Sequence, residues 1–264
     1  MGASIMGTSD FSTSSADAIS GAYAAFSTWF EAVSSGQRVN AADDDAAGLV
    51  LGQQLNGYGV ESIQALRNLR DGISMIQTAD GAASIIGSNL IRMKELLMQS
   101  AGGILSEKQQ QLIQREFDQL AAENARIAET TEFNGIKLFA DGQSIQLSIG
   151  FGNRLTIQTQ AIAAVSANLT DNTLSATEGV DRAISQLAAL RGGLGASMDE
   201  MELASQTLEK QIVNLMAAES RITDVDVAQA AANLTAAQIL AEAAMATQAQ
   251  ANLSGELVAA MMRK

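Results

Sequence analysis

The chain has 264 residues, 47% of them hydrophobic, and a formal net charge of −13. It contains no Pro, Cys or His, which excludes disulfides, thiolate zinc sites, thiol nucleophiles, serine–histidine catalysis and helical HExxH zinc chemistry. The acidic balance disfavours nucleic-acid phosphates and anionic membranes, and no apolar run approaches the ~18 residues of a membrane span.

Average usage predicts roughly 13 prolines in a chain this long. Their absence favours long uninterrupted helices, because proline removes a helix hydrogen bond and clashes with the preceding turn. Residues 1–33 are rich in Ser and Ala, and only Asp10, Asp17 and Glu31 are charged. Their hydroxyls compete for backbone hydrogen bonds, so the first ~15 residues are expected to be weak helix and mobile in the free subunit. Tyr23, Phe26, Trp29 and Phe30 cluster here, whereas no aromatic residue follows Phe151. The first basic residue is Arg38, so a cleaved secretory signal is not expected.

Ser34-Ser35-Gly36 breaks the helical pattern. Asn40 is then the expected N-cap, with Asp43 three positions on answering its backbone N–H. Asp43, Asp44 and Asp45 place negative charge against the positive end of the helix dipole. No EF-hand spacing follows, so the run reads as a helix start rather than a calcium site. The helix extends to about Ser100, with Ile76, Ala79, Ala83, Ile86, Leu90, Met93 and Leu97 alternating spacings of three and four, a coiled-coil seam. Asp71-Gly72 and Asp80-Gly81 argue locally for turns, but the long-range pattern outweighs them.

Ala101-Gly102-Gly103 ends this helix. A second one is expected from about Ser106 to Thr130, with Ser106 and Gln109 as a capping box and Leu112, Ile113, Phe117, Leu120 and Ile127 on one side. The period then changes to two at Ile136, Leu138, Ile145, Leu147, Ile149, Leu155 and Ile157, with turns at Asp141-Gly142 and Gly152-Asn153. This predicts a meander of two or three strands, too small to stand alone. Asn168–Thr177 reads as a polar linker. Helix resumes near Glu178, with a seam at Leu208, Ile212, Leu215, Ala218, Ile222 and Val225. The last segment, from Val227, is rich in Ala and Gln; Leu234, Ile239, Leu240, Met245, Leu253, Leu257 and Met261 are its larger apolar residues.

The fold class is therefore mainly α, a long antiparallel coiled-coil rod formed by N- and C-terminal helices with a small β-hairpin region in the middle. Two domains are expected: residues 1–39 with 226–264, a terminal coiled-coil domain, and residues 40–225, a helical rod with β-hairpins at about 135–160. Asp199-Glu200 and Asp224/Asp226 could be acid/base pairs, but without His or a pocket signal they read as solvated or capping groups. Gly192-Gly193-Leu194-Gly195 lacks GK[ST] and follows no strand, so it is not read as a phosphate loop. Terminal segments with apolar residues on more than one face must bury some of them against other chains.

Several motifs resemble those of bacterial flagellin. SSGQRVNAADDDAAG (34–48) resembles SSG-x-R-I-N-x-A-x-DDAAG, and NLRDGISMIQ (68–77) resembles N-x-x-DGIS-x-x-Q. LIRMKELLMQ (90–99) is similar to LxRxRELxxQ, TEFNGIKL (131–138) to T-x-FNG-x-K-L, and LRGGLG (190–195) to LRAxLG. Residues 218–240 resemble S-RI-x-D-x-D-x-A-x-E-x-x-N-x-x-x-x-QIL. The resemblance implies a core-only filament subunit that polymerises with itself, with no enzymatic activity and no cofactor. It implies export unfolded through the type III apparatus with a dedicated chaperone, and meetings with the filament cap and hook-associated proteins at the extracellular flagellum. In the family the extreme ends form an inner tube and the long helices an outer rod. By motif position Arg38, Asn40, Asp43 and Asp44 would cap and pack the helix start. Arg92, Leu96 and Glu116 match the surface that a Toll-like receptor reads and that meets neighbouring subunits. Leu234, Ile239, Leu240 and Met245 lie on the helix that the chaperone wraps. The alternatives are the related hook–filament junction protein, whose motif tends to read DDP where this chain reads DDDAAG, and a secreted flagellin-like adhesin, for which the short linker leaves no separate binding domain.

Overall fold

The computed structural model describes residues 2–102, 105–139, 144–158, 161–162 and 173–262. Five helices and two hairpins follow in the order α1 Gly2–Ser35, α2 Ala42–Ala101, α3 Glu107–Thr130, β1 Glu132–Phe133, β2 Ile136–Lys137, β3 Ser144–Ser148, β4 Arg154–Gln158, α4 Thr173–Thr223 and α5 Val227–Met262. The chain divides into two compact units, residues 1–58 with 214–264 and residues 59–213.

The second unit holds the main core. All seven seam positions of α2, from Ile76 to Leu97, are buried. They pack with Ile113, Phe117 and Ile127 of α3 and with Val180, Ala183, Leu187, Leu190, Leu194, Met201 and Leu208 of α4. Exposed ion pairs run in antiparallel order between α2 and α4: Arg70–Glu209 at 3.1 Å, Asp80–Arg191 at 2.7 Å and Lys94–Asp181 at 2.6 Å. Pairs this exposed fix register more than they add stability. The helix passes unbroken through Asp71-Gly72. A Cβ at Gly72 would stand 2.8 Å from Leu147 Cδ1 and 3.0 Å from Met201 Sδ, so the glycine serves close packing rather than a turn.

Four expectations are corrected here. Helix α1 already runs from Gly2, because pairing with α5 outweighs the weak local propensity. Leu112 is 61% exposed: it precedes the buried Ile113 and falls outside the apolar stripe. The strands form two separate antiparallel hairpins, β1–β2 and β3–β4, rather than one meander. The first turns at Asn134-Gly135, both with positive φ (50° and 79°), as a two-residue primed turn requires. Helix α4 begins at Thr173, so the end of the expected linker is helical. Gln109 Oε1 accepts from the Ser106 backbone N–H at 2.9 Å, the return arm of the expected capping box. Gly103, Asp141-Gly142, residues 168–172 and the Leu257 side chain lie outside the described residues.

The β3–β4 hairpin is held on α2 by its turn. Gly150, Phe151 and Gly152 all have positive φ. The Phe151 N–H donates to Glu61 Oε1 at 2.5 Å, and Asn68 Nδ2 donates to the Ser148 carbonyl at 3.0 Å. The alternate residues Leu155 and Ile157 are thereby buried on one side of β4.

Candidate functional site

The first unit brings together the two segments that interrupt the terminal helices. Between α1 and α2 the chain turns at Gly36, whose φ is +73°. Between α4 and α5 it turns at Asp224–Asp226. The two turns lie side by side, with Gln37 and Asp224 forming an antiparallel bridge. The Val225 N–H donates to the Gly36 carbonyl at 3.0 Å, and the Arg38 N–H donates to the Thr223 carbonyl at 2.6 Å. Arg38 adds its guanidinium, which donates to the Ile222 carbonyl at 2.6 Å and lies 3.8 Å from Asp45. Beneath them Val39 is buried.

The acidic run divides its labour differently from the expectation. Asp43 is exposed, and Asp44 takes the role assigned to it: Asp44 Oδ2 accepts from the backbone N–H groups of Asn40 and Ala41, both at 3.0 Å. Asn40 does not cap with its side chain, whose amide donates to the Gln37 carbonyl at 3.2 Å. The cap of the long helix is Asp45, which has extended backbone (φ −163°, ψ 90°). Asp45 Oδ1 accepts from the Gly48 N–H at 2.8 Å, the bond an N-cap makes to the third helical residue. Asp226 does the same for α5, accepting from Ala228 and Gln229 at 3.0 and 3.1 Å. An Asp followed three residues later by Gly carried the Asp45 signal, but three consecutive aspartates left the assignment open.

Those two backbone donors hold the Asp44 carboxyl below its ordinary value, Ala41 more than Asn40. A carboxylate with a depressed folded pKa contributes stability above the unfolded value of about 3.9, and that contribution is lost as pH falls through the lower folded value. Replacement Asp44→Asn is therefore expected to destabilise the subunit at neutral pH. The difference from the parent, followed by chemical denaturation at stepped pH, closes as the solution is acidified below about 4.

A Cβ at Gly48 would collide with the Asp45 carboxylate, while Gly57 and Gly59 have open space at the same position. Replacement of a helical glycine by alanine at an open position gains about 0.5–1 kcal/mol. Gly57→Ala is expected to show that gain in thermal melts. Gly48→Ala forfeits it, because displacing the cap costs about 1 kcal/mol.

Helices α1 and α5 pair antiparallel. The Ser15 hydroxyl donates to Gln248 Oε1, and the Tyr23 hydroxyl to Met245 Sδ at 3.2 Å. The side of α5 that faces α1 is built from small residues, with Ala230, Ala237 and Ala241 buried and Leu234 half-buried. At about 100° per residue, Ile239, Leu253 and Met261 fall on the opposite side, exposed by 60%, 56% and 68%. Leu240, at 62%, and Met245, at 42%, lie between the two sides. On α1, Phe26 and Phe30 stack with ring centroids 6.1 Å apart, and Phe30 is 57% exposed.

In the second unit Arg92 Nε meets Glu116 Oε1 at 2.8 Å, and its Nη1 meets Glu95 at 2.9 Å. These partners, Glu116 first, raise the Arg92 pKa. Leu96 is 1% exposed. It packs under the helices and cannot share a surface with Arg92 and Glu116, a correction to its expected place. Among the described residues no group of Asp and Glu side chains is arranged to hold a metal ion, and no helix is long and apolar enough to cross a membrane.

Comparison with known proteins agrees with this arrangement. The model of the bacterial flagellin N-terminal helical region matches residues 11–144, and that of the C-terminal helical region matches residues 177–258. Flagellin of Halalkalibacterium halodurans is 37% identical over 245 residues, 88% of this chain and 90% of its own. The flagellar filament 30.7 kDa core protein of Treponema maltophilum is 32% identical over 253 residues, 86% of this chain and 89% of its own. The crystal structure of Bacillus cereus flagellin superposes with a TM-score of 0.50 at 26% identity, covering 58% of this chain and 94% of that one. A sequence matched along both terminal regions, folded into paired terminal helices with uncovered apolar sides, belongs to the bacterial flagellin family and is a structural subunit of the flagellar filament.

Proposed function

We propose that residues 1–39 with 226–264 form the inner core of the filament and residues 40–225 its outer core, and that the uncovered side of α5 is the principal contact between subunits. One observation carries this: α5 exposes Ile239, Leu253 and Met261 on the side that α1 does not cover. A helix with large apolar residues outside its covered side needs a second covering surface, and a second copy of the chain supplies one.

The same reading assigns the finer partners. Before assembly α5, with Leu234, Ile239, Leu240 and Met245, is the helix that an export chaperone shields while the type III apparatus passes the chain outward. At the growing tip the subunit meets the filament cap and hook-associated proteins, and the mature site is the extracellular flagellum. Arg92 and Glu116, held together at the surface of the second unit, are the residues through which a Toll-like receptor would engage it. Arg38, Asn40 and Asp44 keep the junction of the terminal pair in shape for packing. Asp43, exposed beside them, is available to a neighbouring subunit.

Seeded polymerisation of the full chain, followed by sedimentation and electron microscopy, tests the core of this reading. Filaments should elongate from seeds above a critical concentration. A chain that stays in the supernatant at every concentration would overturn it.

A further inference from the structure

We propose that Met245 is a peroxide-sensitive modification site whose oxidation state controls entry of the subunit into the polymer. The chain has no Cys, so methionine thioethers carry all of its oxidisable sulfur. Met75, Met93 and Met201 are buried at 5%, 0% and 0% and are shielded in the fold. Met98 and Met216 are 64% and 56% exposed, so an oxygen added to their sulfur stays in solvent within the subunit; Met261, 68% exposed on the uncovered side of α5, has no partner group among the described residues of α1 such as Met245 has. Met245 is different in kind. It is 42% exposed, open enough to be attacked, and its sulfur receives the Tyr23 hydroxyl of the facing helix at 3.2 Å. It stands at the margin of an α1–α5 seam whose buried residues on α5 are Ala230, Ala237 and Ala241.

The chemistry requires a two-electron oxidant of the peroxide class. A sulfur lone pair attacks the terminal peroxide oxygen, the O–O bond breaks, and the S–O bond of the sulfoxide forms. Hydrogen peroxide, having given up that oxygen, leaves as water; sulfur loses two electrons and the peroxide gains them. The product is polar and chiral where the thioether was apolar and flexible. At Met245 the new oxygen must be hydrated or bonded at the place where α1 and α5 close and where, on the assembly reading proposed above, neighbouring subunits pack. The Tyr23 hydroxyl restrains the reaction, because its hydrogen bond engages one of the two sulfur lone pairs and draws electron density from the other, lowering the nucleophilicity of the sulfur.

The experiment treats the full-length subunit with dilute hydrogen peroxide, maps methionine oxidation by peptide mass spectrometry over time, and measures seeded polymerisation by sedimentation. Oxidation at Met245 is expected to raise the critical concentration about tenfold, the effect of one imperfectly satisfied polar group in an interface. Methionine sulfoxide reductases should reverse it. In a Met261→Leu background, which removes the other exposed methionine of the uncovered α5 side, the critical concentration of Met245→Leu should not rise after peroxide relative to its own untreated form. Tyr23→Phe should speed oxidation of Met245 in the free subunit on the order of two- to threefold, with Met98 and Met216 as internal standards. In the Met261→Leu background, an equal peroxide-induced rise in critical concentration with and without Met245→Leu would overturn the control of assembly. An unchanged Met245 rate in Tyr23→Phe would overturn the assignment of the site. Failure of the untreated parent to polymerise would instead defeat the assembly reading and the control built on it; the Tyr23 effect is read on free subunit and separates the two.

Discussion

Polymer is expected to be lost, with the subunit fold retained, when Ile239 is replaced by Asp. Ile239 is 60% exposed and opposite the side of α5 that packs on α1. Nothing in the isolated subunit depends on its hydrophobicity, so helix content measured by circular dichroism should stay at the parent value. In a polymer the same side chain is covered. Fully burying an isoleucine contributes about 1.5–3 kcal/mol, and the 60% still exposed leaves a sizeable share of that to be gained on assembly. A carboxylate in its place must also shed its water without a partner, which costs several kcal/mol more or forces protonation. At about 1.4 kcal/mol per factor of ten, the critical concentration should rise at least ~100-fold. Sedimentation of seeded protein reads this directly; an unshifted critical concentration would mean that this side of α5 faces solvent in the filament. The informative contrast is Ala237→Asp. Ala237 is 4% exposed against α1, so that change should disrupt the α1–α5 pair within the subunit itself.

A fall of roughly 10 °C in melting temperature is expected for Phe117→Ala. Phe117 is fully buried where α3 meets α2 and α4. Truncating such a ring costs about 3–5 kcal/mol, because the cavity adds to the lost transfer energy. For a cooperative body of this size each kcal/mol moves the midpoint by about 2–4 °C. Calorimetry should place the shift in the transition of the second unit. Leu112→Ala, five residues away on the exposed side of the same helix, should change stability by less than about 0.5 kcal/mol. A comparable loss at both positions would show that Leu112 is covered after all.

How much of this was legible in the sequence follows from the range of the forces involved. The α2 seam from Ile76 to Leu97 was readable because one apolar side repeats over six turns, and a single reversing signal such as Asp80-Gly81 cannot outvote it. The capping box at Ser106 and Gln109 was readable because it is local. Leu112 was misplaced because two adjacent apolar residues, Leu112 and Ile113, cannot share one narrow stripe, and only packing shows which one faces inward. Asp45 was passed over as a cap for Asn40 because any of three aspartates could satisfy the dipole; only its extended backbone and its bond to the Gly48 N–H single it out. The β1–β2 hairpin has strands of two residues each, too short for alternation to register, although its Asn134-Gly135 turn stood in plain view. The pairing of Tyr23 with Met245 joins residues 222 positions apart and leaves no periodic trace. Composition told more about α5 than pattern did: large apolar residues spread over more than one side of the helix already implied a second covering surface.

The junction of the terminal helices is stitched largely by the main chain. The Val225 N–H, the Gly36 carbonyl, the Arg38 N–H and the Thr223 carbonyl are atoms that every residue but proline supplies, and this chain has no proline. Side chains at Gln37 and Asp224 can therefore be exchanged while the crossing keeps its form. Apart from Gly36, whose φ of +73° favours glycine, and the Arg38 guanidinium, the joint is written in backbone, which leaves much of its surface free to be rewritten for new neighbours without unpicking the seam.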